Sequence, residues 1–185
     1  AGVTEGNFIH HLATAHLQLK DYSAAIADYN RLIPQARAKS DEDFALPGYY
    51  YRRGYARAQT NDLSGAFADY TEAMKQPHAK GVSIGGISIL DRAQYQRGLV
   101  RQQQKDYDGA IGDFTQVISR SPKNDAAYFS RGWTWAQKDN YDAAIADFTK
   151  CLEFEPGAIN AYYQRALAKH NKGDYAAAEA DYTTF

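Results

Sequence analysis

Three histidines near the amino terminus and a single cysteine are the side chains best able to do chemistry in this sequence. His10, His11 and His16 fall within one predicted helix, and the 10/16 and 11/16 spacings do not give the i, i+4 pair that a metal ion needs. Cys151 would need an adjacent base to act as a nucleophile, and the sequence shows none. We therefore expect no enzyme activity, no catalytic residue, no metal ion and no cofactor.

These residues belong to a chain that repeats itself. The phrase YDAAIADF at 141–148 returns in four altered copies, which lie at 22–29, 63–70, 107–114 and 175–182. A second phrase containing YxRG or a close variant precedes four of the five, at 50–54, 95–98, 128–132 and 162–166. Each phrase has the apolar period of a helix, and turn signals such as KDN at 138–140 separate them. The pattern predicts five units of helix, tight turn and helix, and no strand.

The composition argues against several classes of function. The 185 residues include 21 basic and 22 acidic side chains, and both signs are spread along the chain. No basic block predicts nucleic-acid binding, and no apolar run approaches the roughly 18 residues that cross a bilayer. We expect a soluble chain without membrane insertion, and the sequence leaves its compartment open between cytoplasm, periplasm and secretion.

Residues 125–158 resemble a tetratricopeptide repeat. When this segment is numbered from 1 to 34, the family's marker positions 4, 8, 11, 20, 24, 27 and 32 hold Tyr128, Gly132, Trp135, Ala144, Phe148, Cys151 and Pro156. The resemblance covers approximately 6–39, 47–80, 91–124, 125–158 and 159–185, and the last copy stops within its second helix. It implies an all-α fold, a right-handed superhelical solenoid of about five antiparallel helix pairs, as a single domain over 1–185.

Small residues predict where the two helices of each pair cross. Position 8 holds Gly54, Gly98, Gly132 and Ala166, and we expect these to face the alanines of position 20, which are Ala66, Ala110, Ala144 and Ala178. Aromatic residues at position 24 should fill the space beside the crossing, namely Tyr29, Tyr70, Phe114, Phe148 and Tyr182.

Charged residues depart from the family pattern at position 7. Four units place an arginine there, Arg53, Arg97, Arg131 and Arg165, and all five place an aspartate at position 23, Asp28, Asp69, Asp113, Asp147 and Asp181. A packed arginine requires a carboxylate, so these predict structural ion pairs. The favoured hypothesis pairs each arginine with the aspartate of the preceding unit, which explains why the first unit has Leu12 at position 7. The alternative pairs them within a unit and leaves Asp28 without an arginine.

Bases also occupy position 11 in three units, as Arg57, Arg101 and Lys169. Each lies one helical turn after position 7 on the same face. A mildly basic stripe that binds anions is one hypothesis, and a row of solvated or paired side chains is the favoured one.

The family resemblance implies that the first helices line a concave groove where partners bind. The side chains expected to point into it are Tyr51, Tyr55, Gln59, Tyr95, Leu99, Gln103, Phe129, Trp133, Gln137, Tyr163 and Asn171, with His10, Thr14 and Gln18 in the first unit. Aromatic rings can cover apolar groups of a peptide, and amides can pair with its backbone. The alternative for the amides is that a polar helix-forming residue is simply favoured before the turn.

Two insertions, within 34–46 and 77–90, interrupt the array after a second helix, and the second of them is predicted to be a loop. GVSIGG in the second lacks the GKS/T ending of a phosphate-binding loop, so we expect its apolar residues to pack on neighbouring helices or to contact a partner.

The sequence ends at Phe185 within a predicted second helix, which leaves an apolar end. We expect either further repeats or contact with another chain there. The leading functional hypothesis is a non-catalytic scaffold that binds a protein or peptide in its groove. The alternative is a structural self-assembly module that forms homo-oligomers through its solenoid ends.

Overall fold

The computed structural model describes residues 5–39, 45–76 and 78–184. In these ranges the chain forms ten α-helices and one two-stranded hairpin, so the predicted all-α solenoid of about five helix pairs is confirmed as the fold class. The chain divides into two compact units, Ala1–Val100 and Arg101–Phe185. The single domain over 1–185 stays a prediction, and Phe185 lies outside the described residues.

The first unit contains two complete helix pairs and most of a fifth helix. Its elements are α1 (Glu5–Gln18), α2 (Tyr22–Lys39), α3 (Leu46–Gln59), α4 (Leu63–Lys75), β1 (Ser83–Ile84) and β2 (Ile87–Ser88), followed by α5 (Ile89–Gln103), which continues into the second unit. The second unit then contains α6 (Tyr107–Arg120), α7 (Asp125–Gln137), α8 (Tyr141–Phe154), α9 (Ile159–Lys172) and α10 (Tyr175–Tyr182).

The tight turns within the pairs share one local mechanism. A residue with positive φ ends the first helix, and four of the five are not glycine: Lys20, Asn61, Lys105 and Asp139, with Gly173 in the last turn. The next helix begins after an Asp or Asn whose side chain accepts a hydrogen bond from the backbone three residues later, as Asp62 does from Gly65 and Asn140 from Ala143. This capping stabilises a helix by about 1 kcal/mol, which offsets the strain of the positive φ.

Glycine allows the two helices of a pair to approach closely, as the sequence predicts. A Cβ built on Gly132 would lie 3.1 Å from side-chain atoms of Asp147 and Phe148 and 3.2 Å from the carbonyl oxygen of Ala144. A Cβ on Gly54 would meet Tyr70 and Asp69 at 3.0–3.1 Å. The glycines therefore face the aspartate and the aromatic ring at least as closely as the alanine that the sequence had favoured.

Both predicted insertions contain regular structure, and the hairpin in the second corrects the expectation of a loop there and of no strand. Helix α2 continues through Pro34 to Lys39, because Leu32, Ile33 and Ala36 are buried and because the following residues are good helix formers. Residues 40–44 and Pro77, also within the predicted insertions, lie outside the described residues.

In the second insertion, β1 and β2 pair in antiparallel register around Gly85 and Gly86, whose φ values are +56° and +78°. Two consecutive residues with positive φ match the tight turn that a two-residue hairpin loop requires. Val82 and Ile84 pack on the core of the first unit, as expected, whereas Ile87 is exposed.

Candidate partner-binding surface

The ion pairs at positions 7 and 23 form within a repeat unit, so the hypothesis that the sequence favoured is wrong. Arg53 binds Asp69 through Nε and Nη2 at 2.9 and 2.6 Å, and Arg165 binds Asp181 in the same two-pronged way at 2.8 and 2.6 Å. Arg131 binds Asp147 at 2.8 and 2.7 Å, and this hydrogen-bonded pairing raises the pKa of Arg131.

All four arginines at position 7 also use their remaining guanidinium nitrogen, Nη1, in a contact with the preceding repeat. Nη1 donates to the side chain two residues after the aspartate of the preceding unit, which joins consecutive units. The observed pairs are Arg53–Asn30, Arg97–Thr71, Arg131–Thr115 and Arg165–Thr149, with distances of 2.8, 3.3, 3.0 and 3.1 Å.

Asp28 obtains its base from an unexpected position. His16, at position 11 of the first unit, places Nδ1 2.8 Å from Oδ2 of Asp28. An imidazole at position 11 thus pairs with the aspartate of its own repeat, as the bases at position 11 of later repeats do.

The position-11 bases are also paired, which confirms the favoured expectation of solvated or paired side chains. Arg57, Arg101 and Lys169 each lie 2.8–2.9 Å from the aspartate at position 23 of their own unit. The same bases are about one-fifth exposed. They are therefore structural partners of buried carboxylates, and the hypothesis of an anion-binding stripe loses its support.

In the compact unit Arg101–Phe185, the aromatic residues predicted to bind a partner lie on the first helices of their repeats and are only partly buried. Phe129 on α7 packs against Phe148 with ring centroids 5.6 Å apart, and Trp133 packs against the same small core. Tyr163 on α9 contacts Tyr182 at 6.1 Å and is 49% exposed. Helices α7 and α9 are neighbours, so these rings belong to two adjacent first helices.

In the compact unit Ala1–Val100, the aromatic residues predicted to bind a partner are half-buried, and their rings contact those of other tyrosines. Tyr51 lies 6.0 Å from the ring of Tyr70, and Tyr55 meets Tyr22 edge to face at 6.2 Å. Burial and the Tyr22 hydroxyl raise the pKa of Tyr55. Tyr95 and Leu99 on α5 are also half-buried.

The predicted amides are at the surface. The side chains concerned are all exposed and lie in the last turn of a first helix or directly beside it: Gln18, Gln59, Gln103, Gln137 and Asn171. Their exposure fits both the binding hypothesis and the alternative of a simple helix-forming polar residue.

Two buried tyrosine hydroxyls beside this surface were missed by sequence reasoning. Tyr29 and Tyr70 have no measurable exposure, and neither hydroxyl has a hydrogen-bond partner of normal geometry within the described residues. Burial raises the pKa of Tyr29 to about 12 and raises that of Tyr70 as well. The available signal was that position 24 is tyrosine in these units but phenylalanine at 114 and 148.

In the compact unit Ala1–Val100, Nδ1 of His10 is a third buried polar atom without a hydrogen-bond partner among the described residues. The ring of His10 lies 5.4 Å from that of Tyr49. Burial, followed by the charge of Arg52, lowers its pKa, so the imidazole is neutral at pH 7.

Cys151 is a buried side chain rather than a reactive group. It is 2% exposed, and burial raises its pKa to about 11, so the thiolate is scarce at neutral pH. Among residues 5–39, 45–76 and 78–184, no cluster of three His, Cys, Asp or Glu side chains could hold a metal ion. Over the same residues, no helix combines the length and apolar character needed to span a bilayer.

Comparison with family models matches tetratricopeptide repeats over most of the chain. One such model matches residues 95–159, and a second matches residues 7–33 and 159–184. No curated protein sequence matches the chain.

Several solved structures share the fold at low sequence identity. MamA from Desulfovibrio magneticus RS-1, residue 41 to its end, is 17% identical with a TM-score of 0.81, and the match covers 98% of this chain and 94% of that one. A tetratricopeptide repeat protein from Parabacteroides merdae is 17% identical with a TM-score of 0.80, and the match covers 96% of this chain and 64% of that one. At this level of identity the likeness establishes the fold alone.

Proposed function

Because the chain belongs to the tetratricopeptide repeat family, we propose that it is a non-catalytic scaffold that binds a protein or peptide on the first helices of its pairs. The family supports a protein partner in general. The finer statement, that the partner contacts the aromatic residues of these helices, rests on their placement.

One observation carries this proposal, and it comes from the compact unit Arg101–Phe185. Phe129 and Trp133 lie on helix α7 and pack against the small core around the buried Phe148. Tyr163 lies on the adjacent first helix α9, contacts the ring of the exposed Tyr182 and is itself half exposed. Rings that are held in place and open on one side lose little side-chain entropy when they bind, which makes them good anchors. The exposed amides of Gln137 and Asn171 lie on the same two helices and can hydrogen-bond a peptide backbone.

The pairing of the position-11 bases favours a partner contact that does not depend on their charge. Each described position-11 base is bound to an aspartate that is nearly inaccessible to water. These bases are therefore already occupied, and the proposed contact depends mainly on apolar burial and amide hydrogen bonds.

Affinity capture with matched variants tests the proposal. The immobilised full chain would be incubated with extract from its native source, alongside Trp133→Ala/Tyr163→Ala and the control Tyr141→Ala/Tyr175→Ala, which changes aromatic residues on the second helices α8 and α10. We expect the first variant to lose the captured partner, at least tenfold by quantitative mass spectrometry, and the control to retain it. Equal capture by both variants would reject the first-helix surface.

The alternative, self-assembly through the ends of the array, has one supporting observation. Helix α10 leaves Tyr175 and Tyr182 exposed, at 65% and 39%, although their rings contact His170 and Tyr163 of helix α9. Size-exclusion chromatography with light scattering distinguishes the two proposals. Oligomers that grow with concentration and persist in Trp133→Ala/Tyr163→Ala would favour self-assembly, whereas a monomer at every concentration would exclude it.

A further inference from the structure

Helix α9 shows how a first helix packs on the repeat before it. Ala161 and Ala168, at positions 3 and 10 of their repeat, are 0% and 2% exposed. Ala161 lies in one core cluster with Cys151 of α8, and Ala168 lies in another with Phe148 of α8. Positions 3 and 10 of this first helix therefore face the second helix of the preceding repeat.

Positions 7 and 14 complete the same face with two basic residues. Arg165, at position 7, donates to Thr149 of α8 at 3.1 Å. The lysine at position 14 forms an ion pair with the aspartate at position 18 of the preceding repeat, and the observed pairs are Lys138–Asp108 and Lys172–Asp142. The face that joins α9 to α8 is thus alternately apolar and basic.

Helix α1 and the residue after it carry these four positions without either base. They hold Phe8, Leu12, Ala15 and Leu19, which we call the α1 stripe. Phe8 and Leu19 are 62% and 77% exposed, Ala15 is exposed and Leu12 is half-buried. The face that is buried at positions 3 and 10 of α9 is therefore an exposed apolar stripe on α1, and a continuous stripe of this kind marks an interaction surface.

Helix α10 carries the corresponding change at position 18. Where Asp108 and Asp142 bind the lysine of the following repeat, α10 has the exposed Ala176. Thr183, at position 25 of the same helix, donates its hydroxyl to the carbonyl of Ala180 at 3.1 Å. Its hydroxyl proton is therefore already bound within α10, and an apolar side chain can pack on its methyl group.

The changes in α1 and α10 match each other. Position 14 of each repeat and position 18 of the repeat before it have related chemistry: Thr60 with Ser23, Gln104 with Ser64, Lys138 with Asp108, and Lys172 with Asp142. The two residues left over from this series are Leu19 and Ala176, which are both apolar and both exposed. Each therefore has the partner chemistry that the other requires.

We propose that α10 of one copy of the chain packs on the α1 stripe of a second copy, in the arrangement that α8 and α9 have within the chain. The inference rests on the self-assembly alternative given above and names its two surfaces. The contact joins two different surfaces, so each added copy leaves one of each kind free, and the assembly grows with concentration unless it closes into a ring.

One residue of α10 limits the strength of this contact. Glu179 holds position 21, where α8 has Ile145, and Ile145 packs on the core cluster that contains Ala168. A carboxylate at this place loses part of its hydration when a second copy covers it. The association should therefore be weak and reversible.

A charge exchange tests the contact in the full chain, by sedimentation velocity over a range of concentrations. Leu19→Lys places a cation opposite Ala176, so half-association should require at least about ten times more protein, and Ala176→Asp alone should weaken it similarly. Leu19→Lys/Ala176→Asp recreates the pair that Lys172 and Asp142 form, so it should return to within about threefold of the wild type. Both residues are exposed, so the variants should keep the thermal midpoint of the wild type.

Matched variants control for the added charges. Gln18→Lys places the same charge on the exposed residue next to Leu19, and Ala146→Asp places a carboxylate on an exposed alanine of α8. Both should associate as the wild type does. Glu179→Ile supplies the side chain that α8 has at this position and should strengthen the association, by about threefold or more.

Three results would overturn the proposal. They are a wild-type chain that stays monomeric at every concentration, an association that Leu19→Lys leaves unchanged, and a double variant that is no stronger than the single ones. In the first case, a photoreactive residue at Ala15 that crosslinks to another protein in extract would assign the α1 stripe to a different partner.

Partner capture separates this inference from the first-helix proposal. Weaker association of Leu19→Lys with unchanged capture would support the contact between copies and leave the scaffold proposal standing. Capture that is lost in Trp133→Ala/Tyr163→Ala, together with a monomeric wild type, would reject the contact between copies and retain the scaffold.

Discussion

Arg131 and Asp147 form a two-pronged ion pair between the two helices of one repeat, with Nε–Oδ2 and Nη2–Oδ1 distances of 2.8 and 2.7 Å. Both side chains are largely buried, at 19% and 7% exposure. Because the third nitrogen of Arg131 donates to Thr115, one side chain connects both helices of its own repeat and the repeat before it. The arginine thus links neighbouring repeats as well as closing its own pair.

A double-mutant cycle of Arg131 with Asp147 should show strong coupling. Removing either partner leaves a buried charge and should destabilise the chain by about 3–5 kcal/mol, and the coupling energy should be about 1–3 kcal/mol because the pair is direct and two-pronged. The measurement is urea unfolding of both alanine variants and the double variant.

The cycle of Arg131 with Asp113 is the control for this measurement. It should give less than about 0.5 kcal/mol, since Asp113 binds Arg101 at 2.8 Å. Stronger coupling to Asp113 than to Asp147 would contradict the within-repeat pairing.

Gly132 and Gly112 offer a matched test of the helix crossing. Gly132→Ala should destabilise the chain by about 1–3 kcal/mol, because the new Cβ would lie 3.1 Å from Asp147 and Phe148. Gly112→Ala places its Cβ more than 4 Å from every described atom outside its neighbouring residues and the backbone of its own helix, so it should be neutral or stabilise helix α6 by up to about 1 kcal/mol. Thermal unfolding of both variants decides the point, and equal effects would mean that the crossing tolerates a methyl group.

The last helix pair should lose stability in acid. Burial raises the pKa of Asp181, but hydrogen bonds from Arg165 and Lys169 outweigh this effect and leave it below its usual value. The contribution is therefore present above the unfolded-state pKa of about 3.9 and is lost as the pH falls through the lower folded-state pKa.

Denaturant unfolding of the wild type and Asp181→Asn, from pH 7 to pH 2, measures this contribution. The difference in unfolding free energy between the two should be largest near neutral pH and should shrink below about pH 4. A difference that stays constant over this range would show that the Asp181 carboxylate does not depend on these bases.

Cys151 should be unreactive in the folded chain. With 2% exposure and a pKa raised to about 11 by burial, its thiol should react with a disulfide reagent such as Ellman's at least a hundredfold more slowly than in denaturant. Reaction rates measured by absorbance, with and without guanidinium, provide the comparison. A fast reaction under native conditions would mean that α8 opens readily or that the thiol is activated.

The repeat period and its small and aromatic residues were sufficient to predict the helix pairs, because each of these residues meets its partner within about 20 positions. The ion-pair register was not predictable in the same way. Arg131 lies within reach of two aspartates in a solenoid, and the choice depends on the crossing geometry and on the acceptor at Thr115, which the pattern does not reveal. The hypothesis of pairing between units chose the wrong contact: the arginine reaches the preceding repeat through an acceptor such as Thr115, and in the first repeat His16 pairs with Asp28.

The insertions and the buried hydroxyls show a second limit of the sequence. Gly85 and Gly86 signal a turn, but two-residue strands are too short to produce an alternating pattern. Tyr29 and Tyr70 satisfy the same aromatic position as Phe114, and only the structure shows that their hydroxyls are buried with no hydrogen-bond partner among the residues it describes. The candidate aromatic residues were identified from the family pattern, whereas their degree of exposure required the structure.

Site-specific photo-crosslinking tests the central claim most directly, because it reports which helix face meets the partner. A photoreactive phenylalanine analogue would replace Gln137 or Asn171, which are exposed on the first helices α7 and α9, or Ala146 or Ala180, which are exposed on the second helices α8 and α10. After irradiation in extract from the native source, the account predicts one discrete crosslinked protein from positions 137 and 171 and none from 146 and 180. Crosslinks to the same protein from 146 and 180 alone would contradict it.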